Sequence, residues 1–403
     1  MANPFLRNLI ARRLEFQKGG SFSSNVIHIS TISIALGTCI LVLSALIQAG
    51  FREEIYRRIF SFGGHLSVRQ FSSGTLYEEK PLEQQSLFLK NLKKLPQIST
   101  VQSSSYLPVL ISNEDEVAGV VLKGLDRDFN KNAFAANLDK RMAAGPDSGE
   151  IWVSKKLARK MMLQEGGKVV AFILHDPPRY RKLKIACFYQ TGIEDVDDNI
   201  ALVSLNLIRE INGWKPGSAG SFELFLKDFN GIVPAIQEIE KMLPYNLGLE
   251  PVTQTHSQLF EWLDIIGRNV LVMFVLVALV AGFNMAATLL IMVMERRQMI
   301  GILKAMGAED GVIMGIFVRN GMQIMIRGML AGNLLGLGLA LLQWRFNVIP
   351  LNPESYYLDS VPVGWNWISV AGINAGVVLI TWLVILLPVR MVSKIRPAEA
   401  VRV

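Results

Sequence analysis

Few side chains in this sequence are of types and spacings that support metal or acid–base chemistry. An acidic run, Asp195-Val196-Asp197-Asp198, offers the clustered carboxylates that a hard cation prefers. We interpret this run as a solvated turn between two strands, with a cation site as the alternative. The four histidines do not form the HExxH spacing of zinc hydrolases and are His28, His65, His175 and His256. We therefore expect no bound metal.

Nucleophile and phosphate-binding signatures are also absent from the sequence. Cys39 and Cys187 are too far apart for a disulfide framework or a CxxC site, and Cys187 falls in an alternating strand pattern that predicts a core position. The stretch Gly166-Gly167-Lys168 is followed by Val169 and lacks the upstream glycine of a phosphate-binding loop. The sequence predicts a non-catalytic chain without a bound cofactor, so ATP hydrolysis would need a separate subunit.

One amphipathic segment, residues 295–308, carries the clearest binding signal. Read as a helix, it places apolar side chains at i, i+3, i+4 and i+7 on one face, namely Met299, Ile302, Leu303 and Met306. The basic residues Arg296, Arg297 and Lys304 lie elsewhere on the helix. Such a stripe needs cover from the membrane interface or from a groove in a partner protein, and the residues alone leave both open.

The composition shows which class of protein must position this segment. The 403 residues are 51% apolar and 19% charged, with a mean hydropathy of +0.33. Soluble proteins average about 25% charged residues, so a soluble or disordered chain is excluded. The net charge of +7 comes largely from basic residues beside the apolar segments, which argues against nucleic-acid binding.

Four apolar segments are long enough to cross a bilayer, which takes about 20 helical residues. We predict the spans at 26–50, 263–294, 321–344 and 366–389. The first exceeds the apolar length of a signal peptide and is expected to stay as an anchor. Lys and Arg concentrate before the first span, between the second and third, and after the fourth. This bias predicts cytoplasmic segments at 1–25, 295–320 and 390–403, and so a multi-pass protein with both termini in the cytoplasm.

Residues 51–262 are therefore expected outside the cytoplasm as an α+β domain, with a short outer loop at 345–365. Strand-like and helix-like stretches alternate through the domain. We predict a first lobe at about 51–140 and 218–262, made of two βαβ halves. A turn signal at Gly145–Gly149 opens an inserted lobe at about 141–217.

Two motifs add a resemblance to this picture. Residues 295–308 resemble the ER(K)-x-x-E-I-x-I-L-K/R-A-x-G-A motif of ABC transporter permeases of the MacB/FtsX superfamily, and residues 396–400 resemble their terminal R-P-A-E-A motif. In that family the first motif forms the coupling helix that docks on the ATPase. Met299 departs from the pattern, where an acidic residue is usual. The resemblance implies these ATPase-coupling residues: Glu295, Arg296, Arg297, Met299, Ile300, Gly301, Ile302, Leu303, Lys304, Met306, Gly307, Arg396, Pro397 and Glu399.

The resemblance narrows to the lipoprotein-releasing permeases LolC and LolE and covers nearly the whole chain. Leu122–Asp126, Thr191–Ile193 and Pro353–Tyr357 followed by Pro362-Val363 are similar to stretches of that family. It implies a MacB-like periplasmic core in the bacterial inner membrane. The implied partners are a LolD-like ATPase carrying ATP and Mg, a second permease copy or paralogue, membrane lipid, a lipoprotein substrate and a LolA-like periplasmic chaperone.

Three further sets of residues are candidates for contact. Acyl chains could enter at the outer ends of the first two spans, at Leu43, Leu46, Ile47, Phe51, Phe260, Trp262, Leu263 and Ile266, where an aromatic belt is the alternative. The LolC form captures its chaperone with a long hook, and the shorter hairpin here leaves Pro177, Pro178, Arg179 and Tyr180 as candidate contacts, with a plain hairpin tip as the alternative. Helix packing is expected at Gly328, Gly332 and Gly336.

Other functions remain open on the sequence. A MacB-like exporter of peptides or toxins would use the same fold with an outer-membrane partner. An FtsX-like regulator would move no substrate and would activate a cell-wall hydrolase through the outer domain. A structural membrane protein without an ATPase is the remaining alternative.

Overall fold

The computed structural model describes residues 22–71, 79–83, 87–113, 116–126, 129, 134, 145–173, 178–352, 358 and 360–389. The chain divides into two compact units. The helical unit comprises Met1–Glu53, Trp262–Pro350 and Ser360–Val403. The sheet unit comprises Glu54–Glu261 and Leu351–Asp359.

Four long apolar helices confirm the predicted membrane architecture. They are α1 (Phe22–Gly63), α8 (Ser257–Glu295), α10 (Asp310–Phe346) and α11 (Trp367–Val389), each long and apolar enough to span a bilayer. A short helix, α9 (Arg297–Ala305), lies between α8 and α10. Residues 310–320, expected in a loop, are the first three turns of α10.

Small residues set the distance between α1 and α10. A Cβ atom on Gly332 would lie 2.5 Å from the Ala35 carbonyl oxygen, and one on Gly328 would lie 2.8 Å from Ile34 Cβ. Gly336 likewise faces the Cys39 backbone, 3.1 Å from its oxygen. The three glycines therefore form one seam against α1, as close backbone approach in membranes requires.

Two sets of polar side chains at membrane depth join neighbouring helices. Ser30 Oγ on α1 bonds to Thr288 Oγ1 on α8, and it also donates to the Asn284 carbonyl oxygen at 3.4 Å. The amides of Asn333 on α10 and Asn374 on α11 bond to each other. Lipid offers no hydrogen-bonding partner, so each pair fixes how its two helices face one another.

The sheet unit is α+β, as predicted, and the structure shows eleven strands among the described residues. The strands are β1 (Leu66–Gln70), β2 (Leu82–Glu83), β3 (Ile98–Asn113), β4 (Glu116–Leu125), β5 (Glu150–Ser154), β6 (Lys168–Ile173), β7 (Arg179–Tyr189), β8 (Ile200–Ser204), β9 (Ser218–Ala219), β10 (Ser221–Leu226) and β11 (Leu247–Pro251). The helices are α2 (Leu87–Leu92), α3 (Lys155–Lys160), α4 (Glu194–Asn199), α5 (Leu205–Asn212), α6 (Ile232–Met242) and α7 (Val252–Thr255), with a 3-10 turn at Phe229–Gly231.

Two βαβ halves interleave in the first part of the sheet. The strand order there is β11-β1-β10-β3, so β1 and β3 flank β10, while β10 and β11 flank β1. This arrangement is the split βαβ motif. Its core contains Leu66, Leu224 and Ile239, which are at most 1% exposed.

The second part of the same sheet closes into a barrel. The order continues as β3-β4-β8-β5-β7-β6, and β6 pairs back with β3, from Val109 with Ile173 to Ser112 with Val170. Ile111, Val153 and Val203 fill its core and are fully buried. The strands of the inserted segment therefore pair with β3 and β4 and do not form a sheet of their own.

Candidate functional site

Helix α9 is anchored by one face and exposed on the other. Ile300 is fully buried and packs in a cluster with Met292, Val293, Ile313 and Phe317 of α8 and α10. Leu303 is half-buried against the same cluster. Ile300 and Leu303 thus form the inward face of α9. This face packs against the end of α8 and the start of α10.

The exposed face of α9 carries two large apolar side chains. Ile302 is 49% exposed and Met306 is 73% exposed. Ala305 and Gln298 are exposed on the same side. The four residues of the predicted apolar stripe therefore differ in exposure. Leu303 and Met299 are half-buried, while Ile302 and Met306 are exposed. The pattern alone could not separate these roles, because it does not say which side α8 and α10 cover.

The C-terminal end of α9 has a defined stop. Gly307 has a φ of +89°, which suits glycine, and the N–H of Ala308 donates to the Leu303 carbonyl at 3.0 Å. Lys304 Nζ lies 2.8 Å from Asp310 Oδ1 at the start of α10, and its side chain is 9% exposed. The motif's lysine and glycine thus hold the end of α9 in place. Of the other predicted coupling residues, exposed Glu295 ends α8 and exposed Arg297 begins α9. Arg396, Pro397 and Glu399 lie outside the described residues.

A continuous apolar row crosses four strands on the outside of the barrel. Leu110 of β3 pairs with Phe172 of β6, and Phe172 pairs with Tyr180 of β7. Directly paired residues share one face of a sheet. Leu110, Phe172 and Tyr180 are 37%, 44% and 62% exposed. Val117 of β4 is on this face and is 65% exposed, because Leu110 also pairs with Gly119, two residues further along β4.

Lysines border this outer row. Lys182 and Lys184 follow Tyr180 on the same face of β7, and Lys184 pairs with Lys168 of β6. All three are exposed. Sequence reasoning found only Tyr180 of the row, because Leu110 and Phe172 become its neighbours through pairings between strands distant in sequence.

The four predicted hairpin contacts differ in exposure and in hydrogen bonding. Pro178 and Tyr180 are exposed, while Pro177 lies outside the described residues. Arg179 is exposed but its Nη1 donates to the Ile211 carbonyl oxygen at 2.8 Å. Of the four candidates, Tyr180 offers the largest surface, since it continues into the apolar row.

The predicted acyl-chain contacts are only partly accessible. Leu46 is 1% exposed and Leu263 is 7% exposed, so these two side chains offer no surface to an acyl chain in this structure. Leu46 packs with Val42, Ala340 and Val370 in the helical core, and Leu43 is partly buried against that cluster. Four other candidate acyl-chain contacts in the helical unit are half-buried: Ile47, Phe51, Trp262 and Ile266. Phe51 and Trp262 meet edge to face at 6.3 Å.

Phe260, the last of that set, belongs to an aromatic cluster in the sheet unit. Its ring lies 5.3 Å from that of Tyr56 and 6.3 Å from that of Phe229. Phe229 in turn stacks on Phe60 at 5.1 Å. Phe260 therefore contributes to internal packing of the sheet unit.

Comparison with known proteins supports one family. Residues 271–397, which contain the end of α8, α9, α10 and α11, match the FtsX-like permease C-terminal family model. The lipoprotein-releasing system transmembrane protein LolE of Haemophilus influenzae is 22% identical over 92% of this chain and 92% of its own. LolC of Neisseria meningitidis serogroup B is 24% identical over 97% of each chain. The chain is similar along nearly its whole length to LolC/LolE-type ABC permeases.

A solved structure also aligns with part of the chain. The periplasmic region of MacB from Actinobacillus actinomycetemcomitans aligns with a TM-score of 0.34 at 10% identity, covering 49% of this chain and 92% of that one.

The acidic run Asp195–Asp198 has a structural role in the sheet unit. The solvated turn predicted there is wrong: Asp197 is 6% exposed and lies in α4. Asp197 Oδ1 accepts from the Thr191 N–H at 3.0 Å, and Oδ2 accepts from the Gly192 N–H at 2.9 Å. Burial raises the pKa of Asp197, against the lowering effect of these bonds. Within the described parts of the chain, no group of His, Cys, Asp or Glu could hold a metal ion.

Its neighbour Asp198 forms an exposed ion pair. Lys156 Nζ of α3 lies 2.8 Å from both Asp198 Oδ2 and Glu194 Oε1 of α4. Hydrogen bonds to these two carboxylates raise the pKa of Lys156. Cys187 is 1% exposed in the barrel wall, so its predicted core position is confirmed.

Proposed function

We propose that this chain is a membrane subunit of an ATP-driven transporter that extracts lipoproteins from the bacterial inner membrane and passes them to a periplasmic chaperone. The observation that carries the proposal is its similarity along nearly the whole chain to proteins named as lipoprotein-releasing transmembrane subunits. The mechanism is mechanotransmission: closure of a separate ATPase moves α9, and the membrane helices pass the movement to the sheet unit.

The energetics of acyl chains require such a machine. Each buried CH₂ group contributes about 0.8 kcal/mol to membrane attachment. A lipoprotein with several acyl chains therefore does not leave the bilayer unaided at a useful rate. ATP and Mg²⁺ are expected on a LolD-like ATPase subunit and not on this chain.

The exposed face of α9 supports the ATPase contact. Ile302 and Met306 are apolar, exposed and held on a helix whose other side is buried in α8 and α10. An amphipathic helix presenting such anchors suits a groove in a partner protein. Since Ile300 packs directly on α10, displacement of α9 would displace the membrane helices with it.

The outer row of the barrel supports a contact with a soluble acceptor. Exposed apolar residues in a contiguous patch mark interaction sites. Phe172 and Tyr180 supply apolar surface, and Lys182 and Lys184 favour a partner with carboxylates at its rim. We assign this face to the LolA-like chaperone, in place of a long hook.

The membrane helices support pairing with a second permease copy or paralogue. One side of α8 is apolar and exposed, with Leu271, Val275, Leu279 and Phe283 each at least 48% exposed. Four spans enclose little volume, so a path for acyl chains is expected between two permeases. Phe51, in the last third of α1, and Trp262, near the start of α8, would contact the lipid. We expect both termini in the cytoplasm, because Lys and Arg residues flank the spans on that side.

The proposal is tested by co-purification. The tagged chain is purified from its native membrane, and the retained proteins are identified by mass spectrometry. An ATPase together with acylated lipoproteins supports the proposal. An ATPase with an outer-membrane channel would favour a peptide exporter, an ATPase with a wall hydrolase would favour a regulator, and absence of an ATPase would overturn transport.

Variants of Ile302 make the ATPase contact specific. Ile302→Asp is expected to abolish ATPase association, because it places a charge in the apolar contact. Ile302→Leu is the matched control and should retain it. Leu303→Asp is a poorer probe, since Leu303 packs on the helical core. Equal association of both Ile302 variants would contradict the role of α9.

A further inference from the structure

An ion pair is buried inside the sheet unit, where α1 ends. Lys123 Nζ on β4 lies 2.7 Å from Glu223 Oε1 on β10, and the two side chains are 0% and 2% exposed. Charged residues are almost never fully buried without a specific arrangement around them. This pair therefore requires an explanation beyond the packing of the sheet.

The Glu223 carboxylate accepts hydrogen bonds from β3, the strand that lies between β10 and β4 in the sheet. Ser104 Oγ and Tyr106 Oη of β3 each donate to Glu223 Oε1 at 3.1 Å, and Gln102 Nε2 of β3 donates to Oε2 at 3.4 Å. Together with Lys123, these donors leave the charge fully compensated. The network connects β4, β3 and β10 and fixes the position of the ammonium group.

The ammonium group reaches the end of α1. Lys123 Nζ donates to the Phe62 carbonyl oxygen and lies 4.4 Å from the centre of the Phe62 ring. The last carbonyls of a helix lack donors within the helix and carry its negative dipole end, so a lysine is well placed there. Gly64 follows with a φ of +71°, and the His65 N–H donates to the Leu224 carbonyl oxygen at 2.8 Å.

Stability alone does not account for this arrangement. Replacing a buried ion pair by apolar side chains is often neutral or stabilising, because desolvation of the charges offsets their attraction. What apolar side chains cannot supply is a directional bond to one backbone carbonyl. The Lys123 bond fixes the last turn of α1 to the three strands, and α1 is the first membrane helix of the chain.

We propose that Lys123 is a positioning residue that transmits movement of α1 to the sheet unit. It acts through the Phe62 carbonyl and is held in place by Glu223. The inference rests on the proposed mechanotransmission. It assigns to Lys123 the connection between the outer end of α1 and the sheet unit. Lys123 lies within Leu122–Asp126, a stretch similar to the LolC/LolE family, but the stretch alone assigns it no role.

The test uses the complete transporter in proteoliposomes. ATP hydrolysis and lipoprotein release are measured together, and the readout is the amount released per ATP hydrolysed. Lys123→Met alone strands the Glu223 charge and endangers folding, so the decisive variant is Lys123→Met with Glu223→Leu. We expect this double variant to hydrolyse ATP normally and to release severalfold less lipoprotein per ATP. Unchanged release per ATP would overturn the proposal.

A matched control separates this role from general loss of a lysine. Lys156→Met removes a lysine of the same unit that also contacts two oxygens, yet these belong to α4 and not to a membrane helix. Its release per ATP should equal that of the wild type. An equal loss in Lys156→Met would also overturn the assignment to Lys123.

A second readout distinguishes failure of this inference from failure of the proposed function. Amide hydrogen exchange at Gly64 and His65 in the full chain reports on the anchor itself. Exchange should quicken in the double variant and not in Lys156→Met. If the wild type shows no ATP-driven release, the proposed function fails. If exchange is the same in all three proteins, the anchor fails.

Discussion

The side-chain amides of Asn333 and Asn374 bond to each other in both directions, Nδ2 to Oδ1 at 2.7 Å and 3.0 Å, joining α10 to α11. Each amide also donates to a carbonyl of its own helix, Met329 and Val370 respectively. The pair therefore satisfies both side-chain amides inside the membrane and fixes how α10 and α11 face one another.

Removing one member of this pair should destabilise the helical unit. Asn333→Leu leaves the Asn374 amide without its partner, and we expect a loss of about 1–2 kcal/mol. Asn333→Leu with Asn374→Leu should cost less than the sum of the single changes. Unfolding of the four proteins in one detergent gives the double-mutant cycle, and strict additivity would show that the pair carries no coupling energy.

The glycine seam makes a prediction with an internal control. Gly332→Ala would place a methyl group against the Ala35 carbonyl oxygen and Thr38 Cβ, so α1 and α10 must separate. We expect a loss of about 1–3 kcal/mol from overpacking. Gly338→Ala, on the same helix with nothing within 4 Å, should be neutral or stabilising. Thermal unfolding in detergent compares the two, and equal behaviour would contradict the seam.

His65 should make the protein sensitive to mild acid. Burial against Phe60 lowers the pKa of His65 to about 4, and its Nδ1 accepts from the Leu226 N–H at 3.2 Å. The unfolded chain takes up a proton near pH 6.5, whereas the folded one does not until about pH 4. Stability therefore falls as the pH drops through that window, by roughly 2–3 kcal/mol.

The measurement is the melting temperature of the full chain at several pH values. His65→Gln should melt at a temperature that changes less between pH 7 and pH 4.5. A parallel acid response in wild type and variant would assign the effect to other groups.

Glu79 should have the opposite pH dependence. Burial raises the pKa of Glu79 to about 7, although Ser105 Oγ and the Tyr106 N–H donate to its carboxylate at 2.6 Å and 2.8 Å. The folded state holds the proton between pH 4.5 and about 7, so stability falls as the pH rises through that range.

Glu79→Gln keeps the acceptor oxygen and removes the charge. It should raise the melting temperature at pH 8 and leave it nearly unchanged at pH 4.5. A variant that melts below the wild type at pH 8 would show that the carboxylate is stabilised in a way that burial alone does not predict.

Local patterns in the sequence were enough to predict much of the fold. The four predicted apolar spans correspond to α1, α8, α10 and α11, and the predicted outer domain corresponds to the sheet unit. Short elements were missed: β5, β8 and α4 are five or six residues long, too short for a period to be counted.

The parts of the site that escaped prediction depend on distant contacts. The apolar pattern of α9 was visible, but the inward position of Leu303 depends on the residues of α8 and α10 that cover it. The outer row depends on pairing of Leu110 with Phe172, which are 62 residues apart in sequence. Burial of Lys123 likewise depends on Glu223 and Phe62, and nothing near Lys123 in sequence indicates it.

Closure of the barrel determines how other proteins can bind to it. Because β6 pairs with β3 as well as β7, β6 is not a free edge, and within the nine-stranded sheet the strand with one neighbour is β11. A visiting chain cannot lengthen the sheet at the barrel by adding a strand of its own. Recognition there depends on side chains, and a substitution on the outer row can change the choice of partner without disturbing a backbone ladder.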